Sequence, residues 1–284
     1  MRSKKKTGVN WQVGGREYDF ETGALVMGIL NVTPDSFSDG GRFSQVEAAV
    51  QHADQLIAEG ADMIDVGGES TRPGSDAVSL KEELARVIPV VRALVARTTV
   101  PLSIDTCKPE VARQALNEGA QVVNDISGLR DPAMVEVCSQ SDCGVVVMHM
   151  KGVPKTMQAA PEYEEVVLEV QNFFRERLET LTKAGISKER LCWDPGIGFG
   201  KRLEDNLSLL RATGELGIGG RPVMIGLSRK SFLAKILDES EIEARDWPTV
   251  GLTAWTRELG GLVHRVHEVG PNREAIRMVE AIGF

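Results

Sequence analysis

Polar side chains recur at the ends of short apolar runs in this chain: Asn31, Asp65 with Glu69, Asp105, Asn124 with Asp125, His149, Asp194, Ser228 to Lys230, and Arg265 with His267. A run buried on both faces tolerates few charges, because burying one unpaired is costly. A single Asp at such a place is commonly a helix cap. Eight polar ends point instead to convergence, with carboxylates that accept hydrogen bonds, amides that donate and accept, and cations suited to an anion. Gly226-Leu227-Ser228-Arg229-Lys230-Ser231 sets two cations beside a helix start, where free N–H groups favour negative charge. In His264-Arg265-Val266-His267, strand alternation puts Arg265 and His267 on one face and His264 on the other, and a guanidinium suits a phosphate oxygen. Residues 31–41 and 67–74 are loops rich in Gly, Pro, Ser and Asp, expected to be mobile on their own. They also carry Phe37 and Arg72, which a spacer does not need, and so read as lids that order over a substrate.

The elements that would bring these residues together repeat from about residue 25 to the end. The apolar runs are 25–31, 61–68, 100–106, 121–127, 144–150, 190–196, 222–228 and 262–268. Their near-continuous hydrophobicity suits parallel strands covered on both faces. Amphipathic helices fall between them. Val46, Ala49, Val50, Ala53 and Ile57 form one stripe, and Leu80, Leu84, Val87, Val91 and Leu94 a second that opens on the capping box Ser79 to Glu82. Pro109, Pro132 and Pro161 are placed for first helical turns, and Gly60, Gly119 and Gly185 for left-handed caps. Eight such units predict an α/β fold: one (β/α)8 TIM-type barrel with its active site at the C-terminal strand ends. Residues 10–21 are expected to form a short N-terminal hairpin plugging the other end. An open doubly wound sheet is the weaker choice, since no GxGxxG follows a strand.

With 284 residues, 42% of them hydrophobic, the chain can bury one large core, and 1–284 reads as a single domain with a disordered tip over 1–9. No stretch approaches the roughly 20 apolar residues of a membrane helix. The basic start MRSKKKTGVNW lacks the apolar run of a signal peptide. Cys107, Cys138, Cys143 and Cys192 make no CxxC pair, which fits a reduced, cytoplasmic setting, and Cys107 sits beside a candidate site residue. A net charge of −8 argues against a nucleic-acid surface, so an anionic substrate needs a local positive cluster.

Eight segments carry a resemblance to a known family. MGILNVTPDSFSDGG (27–41), DVGGESTRPG (65–74), SIDTCKPEV (103–111), NDISG (124–128), MHMKGVPKTMQ (148–158), DPGIGFGK (194–201), GLSRKS (226–231) and RVHEV (265–269), in that order, resemble the dihydropteroate synthases of folate biosynthesis. The resemblance implies condensation of 6-hydroxymethyl-7,8-dihydropterin pyrophosphate with para-aminobenzoate, a requirement for Mg²⁺, a homodimer, and sulfonamides as aminobenzoate mimics. It implies that Asp194 accepts from the pterin's 2-amino and ring N–H groups. Asn124 would pair with the neighbouring ring edge, Asp105 would accept from the reduced ring's N–H, and Lys230 would donate to the far edge. Met148 and Phe199 would supply apolar faces. Asn31, Thr71, Arg72, Arg265 and His267 would receive pyrophosphate, with Asn31 as Mg²⁺ ligand and Asp35 reaching the metal once its loop closes. Phe37, Pro73, Lys230 and Ser231 would hold the aminobenzoate. Asp105, Asp194, Lys230 and Asp35 are thus the catalytic set.

Blander readings stand beside these. His149 fits a structural role as well as a ligand contact, His52 a solvent-facing helix position, and His264 packing. Asp65, Glu69 and Asp125 fit loop support, and Trp247 and Trp255 a core or subunit contact. Residues 243–265 depart from the alanine-rich helix usual in the family. A pterin-dependent methyltransferase would share the Asp and Asn logic without needing the 31–41 loop or the SRKS segment. An inactive pterin-binding paralogue would not need Arg72, Lys230, Arg265 and His267 intact.

Overall fold

A computed structural model describes residues 8–33, 42–70, 77–152, 157, 161–238 and 241–283. A hairpin of β1 (Asn10–Val13) and β2 (Arg16–Asp19) precedes the repeating units. These are β3 (Leu25–Asn31) and α1 (Arg42–Ala58), β4 (Met63–Gly67) and α2 (Leu80–Val95), β5 (Leu102–Asp105) and α3 (Pro109–Asn117), and β6 (Val122–Asp125) and α4 (Pro132–Ser139). They continue with β7 (Gly144–Met148) and α5 (Val166–Lys183), β8 (Leu191–Asp194) and α6 (Leu203–Arg211), β9 (Met224–Ile225) and α7 (Ser231–Leu237), α8 (Asp246–Glu258), and β10 (Val263–Val266) and α9 (Val269–Gly283). The eight later strands are parallel in the order β8-β7-β6-β5-β4-β3-β10-β9. A parallel bridge between Trp193 and Val223 joins the two edges, with the Trp193 amide donating to Pro222 at 2.9 Å. The expected barrel is the observed one.

Strand alternation divides each run between two cores. Residues pointing outward, such as Val26, Ile64, Ile104, Val123, Val145 and Trp193, pack under the helices. Those pointing inward begin apolar: Met27, Met63, Val122, Val146, Cys192, Met224 and Val263 form an interior cluster with Trp11, Val13 and Phe20 of the hairpin. The plug is locked by the Trp11 indole N–H donating to the Arg190 carbonyl at 2.8 Å. Val9 packs on this cluster as well, so the disordered tip expected over 1–9 does not extend to it. Residues 1–7 lie outside the described residues.

The helix punctuation is largely as read. Ser79 caps α2 by accepting from the Glu82 amide, and Pro109 and Pro132 open α3 and α4. Pro161 does not open α5, which starts at Val166. Trp247 and Trp255 do not enter the core: they are 77% and 53% exposed on α8. No helix among the described residues is long and apolar enough to cross a membrane.

Candidate active site

One step above the apolar interior layer, the inward positions change chemistry. Two residues beyond Met63 stands Asp65, beyond Ser103 Asp105, beyond Val122 Asn124, beyond Cys192 Asp194, and beyond Val263 Arg265. All except Arg265 are at most 8% exposed. This layering explains how one strand reads as apolar and still delivers a polar group: a period-2 side-chain pattern needs only its last inward position to change. The layer is internally paired. Arg265 donates through Nε to Asp65 at 2.6 Å and through Nη2 to Asp105 at 2.7 Å. Asn124 donates to the same Asp65 oxygen at 2.9 Å. Among the described residues, the second oxygens of Asp65 and Asp105 are buried without a hydrogen-bond partner, and so is the hydroxyl of Ser103.

Above this layer opens a cleft of about 410 Å³, lined among others by Asn31, Asp105, Phe199, Lys230, Ser231 and Arg265. His267 lines it too, its Nδ1 2.9 Å from the Ser228 hydroxyl. Gly226 lines the cleft beside Asp194, where a Cβ would stand 3.6 Å from the carboxylate oxygen. Met148, paired in register with Asp194, joins Ile126, Met150, Met157 and Phe199 in a small apolar cluster over the strand ends. Lys230 lies over Phe199, its Nζ 3.9 Å from the ring centroid. Of the expected pterin contacts, Asp105, Phe199 and Lys230 line the cleft itself, whereas Asn124, Met148 and Asp194 are not among its lining residues.

Burial dominates the electrostatics. It pushes the Asp105 carboxyl up to about 7, with the Asp65 charge acting in the same direction and Arg265 and Lys230 against it. Burial also raises Asp194, opposed by the Gly196 amide and Lys230. The Asp65 and Asp105 charges hold Arg265 firmly protonated against its own burial.

The turn after β8 is fixed from behind. Gly196 has φ +68°, and a Cβ there would fall 2.0 Å from the His149 carbonyl oxygen, so neither its dihedral nor its surroundings admit a side chain. Lys201 is buried beneath, donating to the carbonyls of His149 at 3.2 Å and Phe199 at 3.0 Å, with His149 Nδ1 also at 3.2 Å. Desolvation lowers Lys201 to about 7 and His149 to about 2, and the Lys201 contacts to the two carbonyls tie the loops together. His149 packs edge-on against Phe173 and is not among the residues lining the cleft, an arrangement that fits its structural reading.

Several expectations shift. Arg229 does not offer its charge to an anion, since its guanidinium pairs with Asp246 at 2.7 and 2.9 Å and with Glu268 at 2.7 Å. The Cys107 thiol is exposed, and partial desolvation and the Asp125 charge raise it above its ordinary value. Glu69 and Asp125 support loops as read: Glu69 holds Lys108 and the Val78 amide, and Asp125 holds Ser127 and the Leu129 amide. Asp65 is more than loop support, being the hub of the buried layer. Asp35, Phe37, Thr71, Arg72 and Pro73 lie outside the described residues.

A barrel with this polar ring matches the family of pterin binding enzymes over residues 27–267. The dihydropteroate synthase of Escherichia coli K12 is 47% identical over 256 residues, covering 90% of each chain. The structure of the Yersinia pestis dihydropteroate synthase with a sulfonamide drug has a TM-score of 0.90 and 41% identity, covering 96% of this chain and 98% of that one. That of the Xanthomonas albilineans dihydropteroate synthase with 4-aminobenzoic acid has a TM-score of 0.89 and 45% identity, covering 96% and 97%. Within the pterin binding enzymes, this chain belongs to the dihydropteroate synthases.

Proposed function

We propose that this cleft condenses 6-hydroxymethyl-7,8-dihydropterin pyrophosphate with 4-aminobenzoate, giving 7,8-dihydropteroate and pyrophosphate. The observation that carries this reading is the buried acceptor layer of Asp105, Asn124 and Asp194 with the Lys230 cation above it. A ring edge carrying an amino group beside a ring N–H satisfies one carboxylate with two donors, the role assigned to Asp194. The unpartnered Asp105 oxygen suits a further ring N–H. A ligand lacking those groups leaves buried acceptors unpaired and is rejected. Met148 and Phe199 flank the ring, and Lys230 serves its carbonyl edge.

The pyrophosphate end belongs to Asn31, Arg265 and His267, which line the cleft together, with Thr71 and Arg72 assigned to the same end. Asn31 suits a hard divalent ion, since it lines the cleft and carries a neutral amide oxygen, 3.8 Å from where a Cβ on Gly67 would stand. Asn31, with Asp35, would hold Mg²⁺, which when bound neutralises charge on the leaving pyrophosphate. Arg265 and His267 stabilise the same charge as the carbon–oxygen bond breaks. The methylene carbon becomes cation-like and faces Asp105 and Asp194. The aminobenzoate nitrogen then forms the new carbon–nitrogen bond and releases its proton, so no strong general base is needed. Ser231 and Lys230 take the aminobenzoate carboxylate, and Phe37 and Pro73 its ring. The exposed side chains of Trp247, Trp255, Met278 and Ile282 on α8 and α9 support a homodimer through that face. Four free cysteines accord with a cytoplasmic setting.

Thermal unfolding tests the leaving-group half. Pyrophosphate at about 100 times its Kd with Mg²⁺ should stabilise the fold by about 2.7 kcal/mol, or roughly 5–10 °C, and EDTA should abolish the shift. No shift at any pyrophosphate concentration would remove the anion role from this end of the cleft.

A further inference from the structure

The roles above leave out the residue that connects them. Asp65 is fully buried at an inward position of β4, and a single oxygen of its carboxylate accepts from Arg265 Nε at 2.6 Å and Asn124 Nδ2 at 2.9 Å. These partners stand two strands away on either side, Asn124 beyond β5 and Arg265 beyond β3. We propose that Asp65 is a positioning residue that sets the pyrophosphate-binding guanidinium and the pterin-reading amide at once, an assignment that rests on the function proposed above.

Each contact fixes something a substrate would read. Held at Nε by Asp65 and at Nη2 by Asp105, the Arg265 guanidinium has its plane determined and turns its Nη1 edge elsewhere. A guanidinium so fixed loses less freedom on meeting a phosphate than one on a mobile stem. The Asn124 contact fixes polarity. An ionised carboxylate only accepts, so the Asn124 NH2 must face Asp65 and its carbonyl oxygen must face the other way. Without Asp65 the amide could present either end to a ring edge, and donor–acceptor discrimination would weaken. Because both partners share one oxygen, a change at Asp65 must reach both halves of the substrate, although it contacts neither.

The test is calorimetric titration of wild type and Asp65→Asn with two separate probes: pyrophosphate with Mg²⁺, and free 6-hydroxymethyl-7,8-dihydropterin. The substitution keeps the shape and removes the acceptor-only charge. Both affinities should fall, each about 10-fold or more, as expected for lost hydrogen bonds to a charged group. Loss of one affinity alone would overturn the shared-hub assignment, and loss of neither would reduce Asp65 to packing. Should Asp65→Asn fail to fold, Asp65→Glu keeps the charge but displaces it by one methylene. It should fold and still lose both affinities, and wild-type binding by it would overturn the proposal. Wild-type protein that binds neither probe would overturn the proposed function as well, and the wild-type titration separates that failure from this one.

Discussion

Asp194→Asn is expected to lower kcat/KM for the pyrophosphate ester by about 1000-fold, roughly 4 kcal/mol, while leaving the fold intact. The carboxylate is 5% exposed, and one oxygen already accepts from the Gly196 amide at 2.7 Å. That bond sets the orientation of the new amide: its oxygen must stay toward Gly196, so its NH2 must face the ligand. An acceptor thereby becomes a donor opposite two ring donors. Losing a charge-assisted hydrogen bond is worth about 1.5–3 kcal/mol, and a buried donor left unpaired adds about 1–3 kcal/mol. The loss should appear in pterin affinity by calorimetry as well as in turnover. Burial raises the Asp194 carboxyl, so wild-type pterin affinity should weaken as pH is lowered toward the raised value, and the variant should lose that dependence. Activity within a few-fold of wild type would place the pterin edge elsewhere.

Arg265→Ala should combine two losses. Asp65 and Asp105 would be left as buried carboxylates without their shared cation, and breaking a buried pair from one side costs about 3–5 kcal/mol. For a chain of this size that is roughly a 10 °C fall in Tm. The pH dependence has a definite sign. A carboxyl raised in the folded state loses stability as pH rises from its unfolded value toward its folded one. For Asp105 that window runs in wild type up to about 7. Removing Arg265, which pulls Asp105 down, extends the window upward. The variant's deficit should therefore be smaller at pH 5 than at pH 8. Affinity for the pyrophosphate ester should fall about 100-fold and for free pterin only several-fold, since a guanidinium–phosphate pair is lost from the first alone. Equal losses for both ligands would remove Arg265 from the leaving-group end.

The sequence carries most of this site because a parallel barrel turns linear position into depth. Each apolar run ends at the same rim, so the places of Asp105, Asn124, Asp194 and Arg265 in their runs set them at one level. The pairings themselves do not follow from those places. Asp65 meets Arg265 across 200 residues and Asn124 across 59, distances set by barrel closure and register, not by local pattern. For the same reason Asp65 read as loop support. The only local hint was its place two residues beyond Met63, at the level of the other inward polar groups. Arg229 read as a free cation because its neutralising partners, Asp246 and Glu268, arrive from α8 and from beyond β10. Lys201 closes the DPGIGFGK segment, but its burial depends on the His149 loop folding over it. Pro161 shows the limit of punctuation: a proline tolerated in a first turn also fits extended chain, and here α5 waits for Val166.

The most direct test of the account is a turnover assay. Purified protein is mixed with 6-hydroxymethyl-7,8-dihydropterin pyrophosphate, 4-aminobenzoate and Mg²⁺, and the products are read by mass. The account predicts 7,8-dihydropteroate and pyrophosphate in equal amounts, with formation stopped by EDTA and restored by added Mg²⁺. Saturable binding of free dihydropterin with no dihydropteroate formed under any of these conditions would contradict it.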